Sequence, residues 1–267
     1  MNRNSLLACV YCALLTLLAF QGVSGALLTL NYIPVMENLQ ALKSVQLIGI
    51  TVKYGWFFQT LHKQAVHLIF VLSILVLILQ FNKKEVHLST LIKWWSSVFT
   101  AMFILFAIYS GNILVGDGYA AQSFQIGGTI MKEIPLIGSL FHFLLFTPNQ
   151  QELQTYSLVR MYLSHILFIP FLIGIVVFIQ KPIHFREVLK QKEIIITILL
   201  VILLQIAIAF ILPVNPKVAP YSPDWFFLPI HYLQYEVPSI IVGLCIGLLL
   251  FSILMFPLMY RKRKDRL

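Results

Sequence analysis

Six long apolar blocks, separated by polar or proline-bearing stretches, set the pattern of this chain. They lie at about 6–30, 55–81, 94–110, 158–179, 194–212 and 240–259. A bilayer crossing needs about 20 apolar helical residues, and most of these blocks meet that length. The pattern predicts an all-α fold, a polytopic membrane helical bundle of six spans. The segment 31–55 is mixed in character and reads as a short surface helix, with Pro34 ending the first span. The segment 112–157 holds two moderately apolar pieces broken by glycines and Pro135, which read as short interfacial helices. The stretch PVNPKVAPYSPDWFFLP repeats proline often enough to exclude a regular helix.

Composition agrees with that reading. The chain is 59 % hydrophobic and 11 % charged, against about 25 % charged for a soluble domain. A net charge of +9 in a soluble chain would suggest nucleic acid, but here the basic residues sit at span ends and serve as anchors. Arg3, the group Lys83, Lys84 and Lys93, the connection QKPIHFREVLKQKE and the tail YRKRKDRL all fall on one side of a six-span bundle. Positive residues favour the cytoplasmic side, so both termini are expected there. The opening residues resemble a signal peptide, yet apolar character continues to about Tyr32, so they read as a retained first span. Cys9 and Cys12 have CxxC spacing without a second pair, and read as structural.

The candidate chemistry begins with two histidines. His62 lies one to two turns inside the second block and His165 at a similar depth in the fourth. A histidine inside a span is costly unless paired, liganded or lining a cavity. Two at matched depth on antiparallel spans suit axial ligation of one haem, and bis-histidine ligation suits electron transfer. His67, five residues from His62, points about 140° away and is not expected to share the iron. Arg160 precedes His165 by five residues, where it either meets a haem propionate or anchors the span at the interface. Gly22 and Gly25 share a face of the first span, allowing close approach of a helix or a flat cofactor.

At this point the chain resembles the cytochrome b and b6 subunits of quinol:cytochrome c and plastocyanin oxidoreductases. The resemblance runs from about residue 20 to 240, through SGALLTLNYIP, GWFFQTLH, SGNILVGD, IPLIG, LVRMYLSH and NPKVAPYSPDWFFLP in family order. It implies His62 and His165 as haem ligands, with Gly25 and Gly111 making room for the haem. It also implies a quinone-binding loop at Pro223, Asp224, Trp225 and Phe226. Asp224 stands where the family carries glutamate, as a proton acceptor or merely a turn carboxylate. His231, just beyond, is a second proton acceptor or an interfacial histidine.

The departures shape the expectation. The family's second histidine pair falls on Val76 and on Ile179 or Gln180, and Tyr11 occupies the place of the glycine beside the inner haem. Gln59 replaces an arginine that would face a propionate. We therefore expect one bis-histidine haem b near the outer face. The expected function is a single-haem cytochrome b-type subunit relaying electrons between membrane quinone and an extracytoplasmic redox partner. That partner would be an iron–sulfur or cytochrome c-type subunit, and the membrane a bacterial plasma membrane. The alternatives are a haem-bearing anchor without quinone turnover, a two-haem subunit with unforeseen ligands, and a haem-free scaffold or transporter. Residues 1–190 form the expected haem-binding unit and 191–267 a two-helix region with the quinol-loop segment. The family is dimeric, and this chain either keeps a homodimer or replaces it with partner-subunit contacts.

Overall fold

The computed structural model describes residues 3–81, 88–146, 153–180, 189–214, 224–225 and 227–264. Every regular element among them is helical. Six helices are long and apolar enough to cross a membrane: α1 (Arg3–Thr29), α3 (Gly55–Gln80), α4 (Leu88–Ile113), α7 (Thr155–Gln180), α8 (Lys192–Ile211) and α10 (Ser239–Lys264). Four shorter helices join them at one end of the bundle: α2 (Gln40–Thr51), α5 (Gly118–Glu133), α6 (Gly138–Leu145) and α9 (Leu228–Glu236). The expected surface helices are thus present, with one more than expected. The proline-rich stretch, expected to hold no regular helix, ends at Pro229, which falls in the first turn of α9. Proline is tolerated there because the first N–H groups of a helix have no intrahelical partner. The third span also starts earlier than its apolar block, at Leu88.

α1, α3, α4 and α7 form the central bundle, α1 against α3, α3 against α4, and α4 against α7. α8 packs on α1 and α3, and α10 on α5 and α4. The bundle interior is a cluster of buried side chains including Leu14, Leu17, Ala65, Ile69, Ile104 and Ile169. Lipid tails are as apolar as leucine, so close packing and interhelical hydrogen bonds hold such a bundle together. Trp94 and Trp95 donate from α4 to the carbonyls of Ile253 and Leu254 on α10, at 3.0 and 3.1 Å. Gln205 of α8 donates to Leu61 O of α3 at 3.3 Å.

α7 is not regular throughout. Ser164–Phe168 forms a π-turn in which Ile169 N–H donates to Ser164 O. Pro170 follows at once, with no N–H to give back to the ladder. The wider turn absorbs that missing donor, and His165 lies inside it.

Candidate functional site

The two histidines meet where the sequence pattern put them. His62 on α3 and His165 on α7 have ring centroids 6.0 Å apart and planes crossed by 70°. Each ring is backed by a glycine on a third or fourth helix. A Cβ on Gly25 of α1 would lie 2.9 Å from His62 Cε1, and one on Gly111 of α4 would lie 3.0 Å from His165 Cε1. No larger residue fits either position without moving the ring.

Each glycine is preceded by a serine that the sequence reading passed over. Ser24 Oγ lies 3.1 Å from His62 Nδ1, and Ser110 Oγ lies 3.0 Å from His165 Nδ1. A hydroxyl has one proton to give. Ser24 gives it to Phe20 O at 2.7 Å, and Ser110 to Phe106 O at 2.9 Å. With that proton engaged, each serine oxygen is placed to accept an imidazole Nδ1–H, beside the backbone carbonyls of Gln21 and Ala107 that also face the rings. Nε2 of each ring is left with its lone pair, the state a metal ligand requires. Gln21 adds a bond from its Nε2 to His62 O at 2.7 Å, while its buried Oε1 has no partner.

Both rings line one cavity of about 1090 Å³, whose walls are mostly apolar. The residues fit a haem. Histidine nitrogens bind metals at about 2.0–2.1 Å, and with about 1 Å more from nitrogen to ring centre, two axial imidazoles stand roughly 6 Å apart. Among the described residues no three His, Cys, Asp or Glu side chains converge. Two histidines alone make a poor site for a bare ion, whereas a porphyrin brings its own four nitrogens.

The cavity continues to a polar end. Asp224 is buried there, accepting from Asn112 Nδ2 at 2.9 Å, with His67 Nε2 at 3.8 Å from its other oxygen. Its side chain caps no helix. The capping carboxylate nearby is Asp117, which accepts from Ala120 N–H at 2.8 Å to start α5. Lys63 also lines this end, in the electrostatic reach of Asp224 and Asp117. His231 of α9 is buried, its Nε2 3.3 Å from Ser123 Oγ and its ring 5.2 Å from that of Tyr119. Its Nδ1 is buried without a partner. Burial lowers the His231 pKa from its ordinary value, so the ring is neutral at pH 7.

Other expected site residues lie differently. Arg160 does not line the cavity. Its guanidinium sits over the Tyr156 ring and donates to the carbonyls of Phe143 and Phe146, closing the C-terminal end of α6. Gln59 lines the cavity and donates to Val45 O at 2.5 Å. Trp225 is 56 % exposed and meets Phe70 edge-on outside the cavity, while Phe227 takes the wall position beside Tyr109. Pro223 and Phe226 lie outside the described residues.

Comparison with known proteins agrees with this architecture. A family model described as cytochrome b (N-terminal)/b6/petB matches residues 68–194, which include Gly111 and His165. The matches support reading the chain as a divergent relative of the cytochrome b family. A cytochrome b of Spizellomyces punctatus is 22 % identical over 88 % of this chain and 66 % of its own length. The cytochrome b6 of Heliobacterium mobile is 26 % identical over 58 % of this chain and 72 % of its own. A solved structure, a hyperthermophilic respiratory Complex III, superposes with a TM-score of 0.66 at 19 % identity, covering 94 % of this chain and 75 % of that one. This cytochrome b relative is a multi-pass membrane protein. It spans about two thirds of the length of the fungal protein.

Proposed function

We propose that the chain is a single-haem cytochrome b-type subunit of a membrane redox complex, exchanging electrons between membrane quinone and an extracytoplasmic redox partner. The partner is an iron–sulfur or cytochrome c-type subunit, and the membrane a bacterial plasma membrane with the site end outward. In this reading 1–190 is the haem unit and 191–267 completes the quinol pocket. The observation that carries the proposal is the continuity of one cavity from the His62–His165 pair to Asp224 and His231.

Haem b, when bound, supplies a one-electron centre. The chain's own residues do the rest. His62 and His165 would hold the iron, with the Ser24 and Ser110 hydroxyls beside their Nδ1 atoms orienting the rings. A quinol ring lies against the apolar walls, of which Phe227 and Tyr109 are part. Asp224 accepts a proton from one quinol hydroxyl and His231, neutral and with a free Nδ1, accepts from the other.

One haem rather than two is supported by how the inner half is filled. Val76 is 1 % exposed and Tyr11 4 %, both packed in the central cluster. Tyr11 Oη donates to Val177 O at 2.6 Å and Ser96 donates to Val176 O, tying α1 and α4 onto α7. Gln180 is spent on Thr100, and Ile179 faces outward at 43 % exposure.

The test is stopped-flow reduction of the haem by a quinol. Asp224→Asn should slow it at least tenfold at pH 7 without loss of haem, since positioned acid–base groups contribute about 10²–10⁴-fold. Because burial lowers the His231 pKa, its accepting neutral form predominates between pH 7 and 8 and persists to lower pH than that of an ordinary imidazole. An Asp224→Asn rate equal to wild type across that range would remove Asp224 from the proton path.

A further inference from the structure

We propose that His67 takes up the quinol proton from Asp224 and carries it out of the cavity along α3, a role that rests on the quinol-site reading above. The Asp224 side chain stands between the cavity, which it lines, and His67, which is not part of the cavity lining. The carboxylate is 6 % exposed and the imidazole 35 %, so the histidine is the more accessible of the two. Their facing atoms, Asp224 Oδ1 and His67 Nε2, are 3.8 Å apart, close enough to share a proton after a small side-chain movement or across one water.

A second observation gives the route a direction. His67, Gln64 and Thr60 are three and four residues apart, and so form one polar stripe along α3. The chain beyond α8 lies on this stripe. Gln64 Nε2 donates to Leu212 O at 3.3 Å, and Thr60 Oγ1 accepts from Val214 N–H at 3.0 Å. From His67 the stripe climbs about 10 Å towards the start of α3, at 1.5 Å per residue. Polar side chains within a span are costly, and three on one face mark a hydrated path or a functional contact.

The proton balance is simple. A quinol hydroxyl loses a proton to the Asp224 carboxylate. The carboxylic acid passes it to neutral His67, and the imidazolium releases it at the site end. The second quinol hydroxyl gives its proton to His231, and the two quinol electrons would go one each to the haem and to an iron centre of the redox partner. The pair is net neutral with the proton on either partner, so passing it from Asp224 to His67 changes no net charge beside the cavity. Among the described residues, Asn112 from α4 donates to Asp224, Lys63 from α3 lies in electrostatic reach of both Asp224 and Asp117, and His231 lines the same cavity.

The experiment uses the haem-loaded protein and decylubiquinol, with His67→Gln, Asp224→Asn and the double variant followed by stopped flow from pH 5.5 to 8.5. Glutamine keeps a donor facing Asp224 but carries no exchangeable charge. His67→Gln is expected to slow haem reduction about tenfold, with unchanged quinol KM and haem spectrum, and to flatten the rise of rate with pH. The double variant should be no slower than Asp224→Asn. A wild-type pH profile in His67→Gln, or multiplicative losses in the double variant, would overturn the relay. Infrared spectra then test the pair without any quinol. The Asp224 carboxylate band, identified by its loss in Asp224→Asn, should shift on acidification when His67 is present and stop shifting in His67→Gln. An identical response in both proteins refutes the pairing. If wild-type protein shows that coupled shift yet no quinol reduces its haem, the quinol reading fails while the Asp224–His67 pair stands.

Discussion

Ser24 and Gly25 on α1, and Ser110 and Gly111 on α4, act as matched pairs. In each, the serine hydroxyl lies within hydrogen-bond distance of the imidazole Nδ1 and the glycine leaves room for the ring. The two functions separate by mutation. Gly25→Ala or Gly111→Ala puts a methyl about 3 Å from an imidazole carbon and should lower haem occupancy about tenfold or more, read by pyridine haemochrome assay. Ser24→Ala or Ser110→Ala removes the hydroxyl beside Nδ1. These variants should keep haem but bind it about 10-fold more weakly, with a shifted midpoint potential in redox titration. Equal haem affinity and potential in the serine variants would show that the hydroxyls do not orient the ligands. Much of this site is legible in the sequence, because paired histidines at matched depth in apolar runs have few other stable uses. The serines were passed over although SGALL and SGNIL both display them. Their role depends on which carbonyl takes the hydroxyl proton, and that is fixed only by rotamer and helix register. The bonds of Arg160 depend on rotamer in the same way. Its distance from His165 along the helix says how deep it lies, but not that its guanidinium turns to α6.

Among elements, α7 is the one whose local geometry departs from its sequence pattern. Its apolar run reads as an ordinary span, and the π-turn at Ser164–Phe168 arises where Pro170 cannot donate to the helix ladder. The turn places one extra residue between the outer and inner halves of α7, so spacing counted as regular helix loses register across it. Pro170→Ala restores an N–H donor and should let the turn tighten towards α-helical bonding, rotating His165 against Gly111. The expected result is retained haem with a changed low-spin spectrum and a shifted midpoint potential. A spectrum and potential identical to wild type would mean that the turn does not depend on the proline. α9 was hidden for a different reason. Its proline falls in the first turn, where the residue that breaks helices elsewhere is accommodated.

For the whole molecule, the arrangement is asymmetric between its two ends. At the site end, four helices leave a cavity of about 1090 Å³ lined by the histidines and ending in charged groups. About 21 Å further along α3, at 1.5 Å per residue, the equivalent positions are packed with Val76, Tyr11 and Val177. A single redox centre near one membrane face, as proposed, would favour lateral exchange with a docked partner over electron transfer across the bilayer. The most direct test is haem quantification with a redox difference spectrum on the purified, haem-supplied protein and on His62→Ala and His165→Ala. The account predicts one b-type, bis-histidine haem per chain, lost in both variants. Two haems per chain, or an unchanged haem signal in either variant, would contradict it.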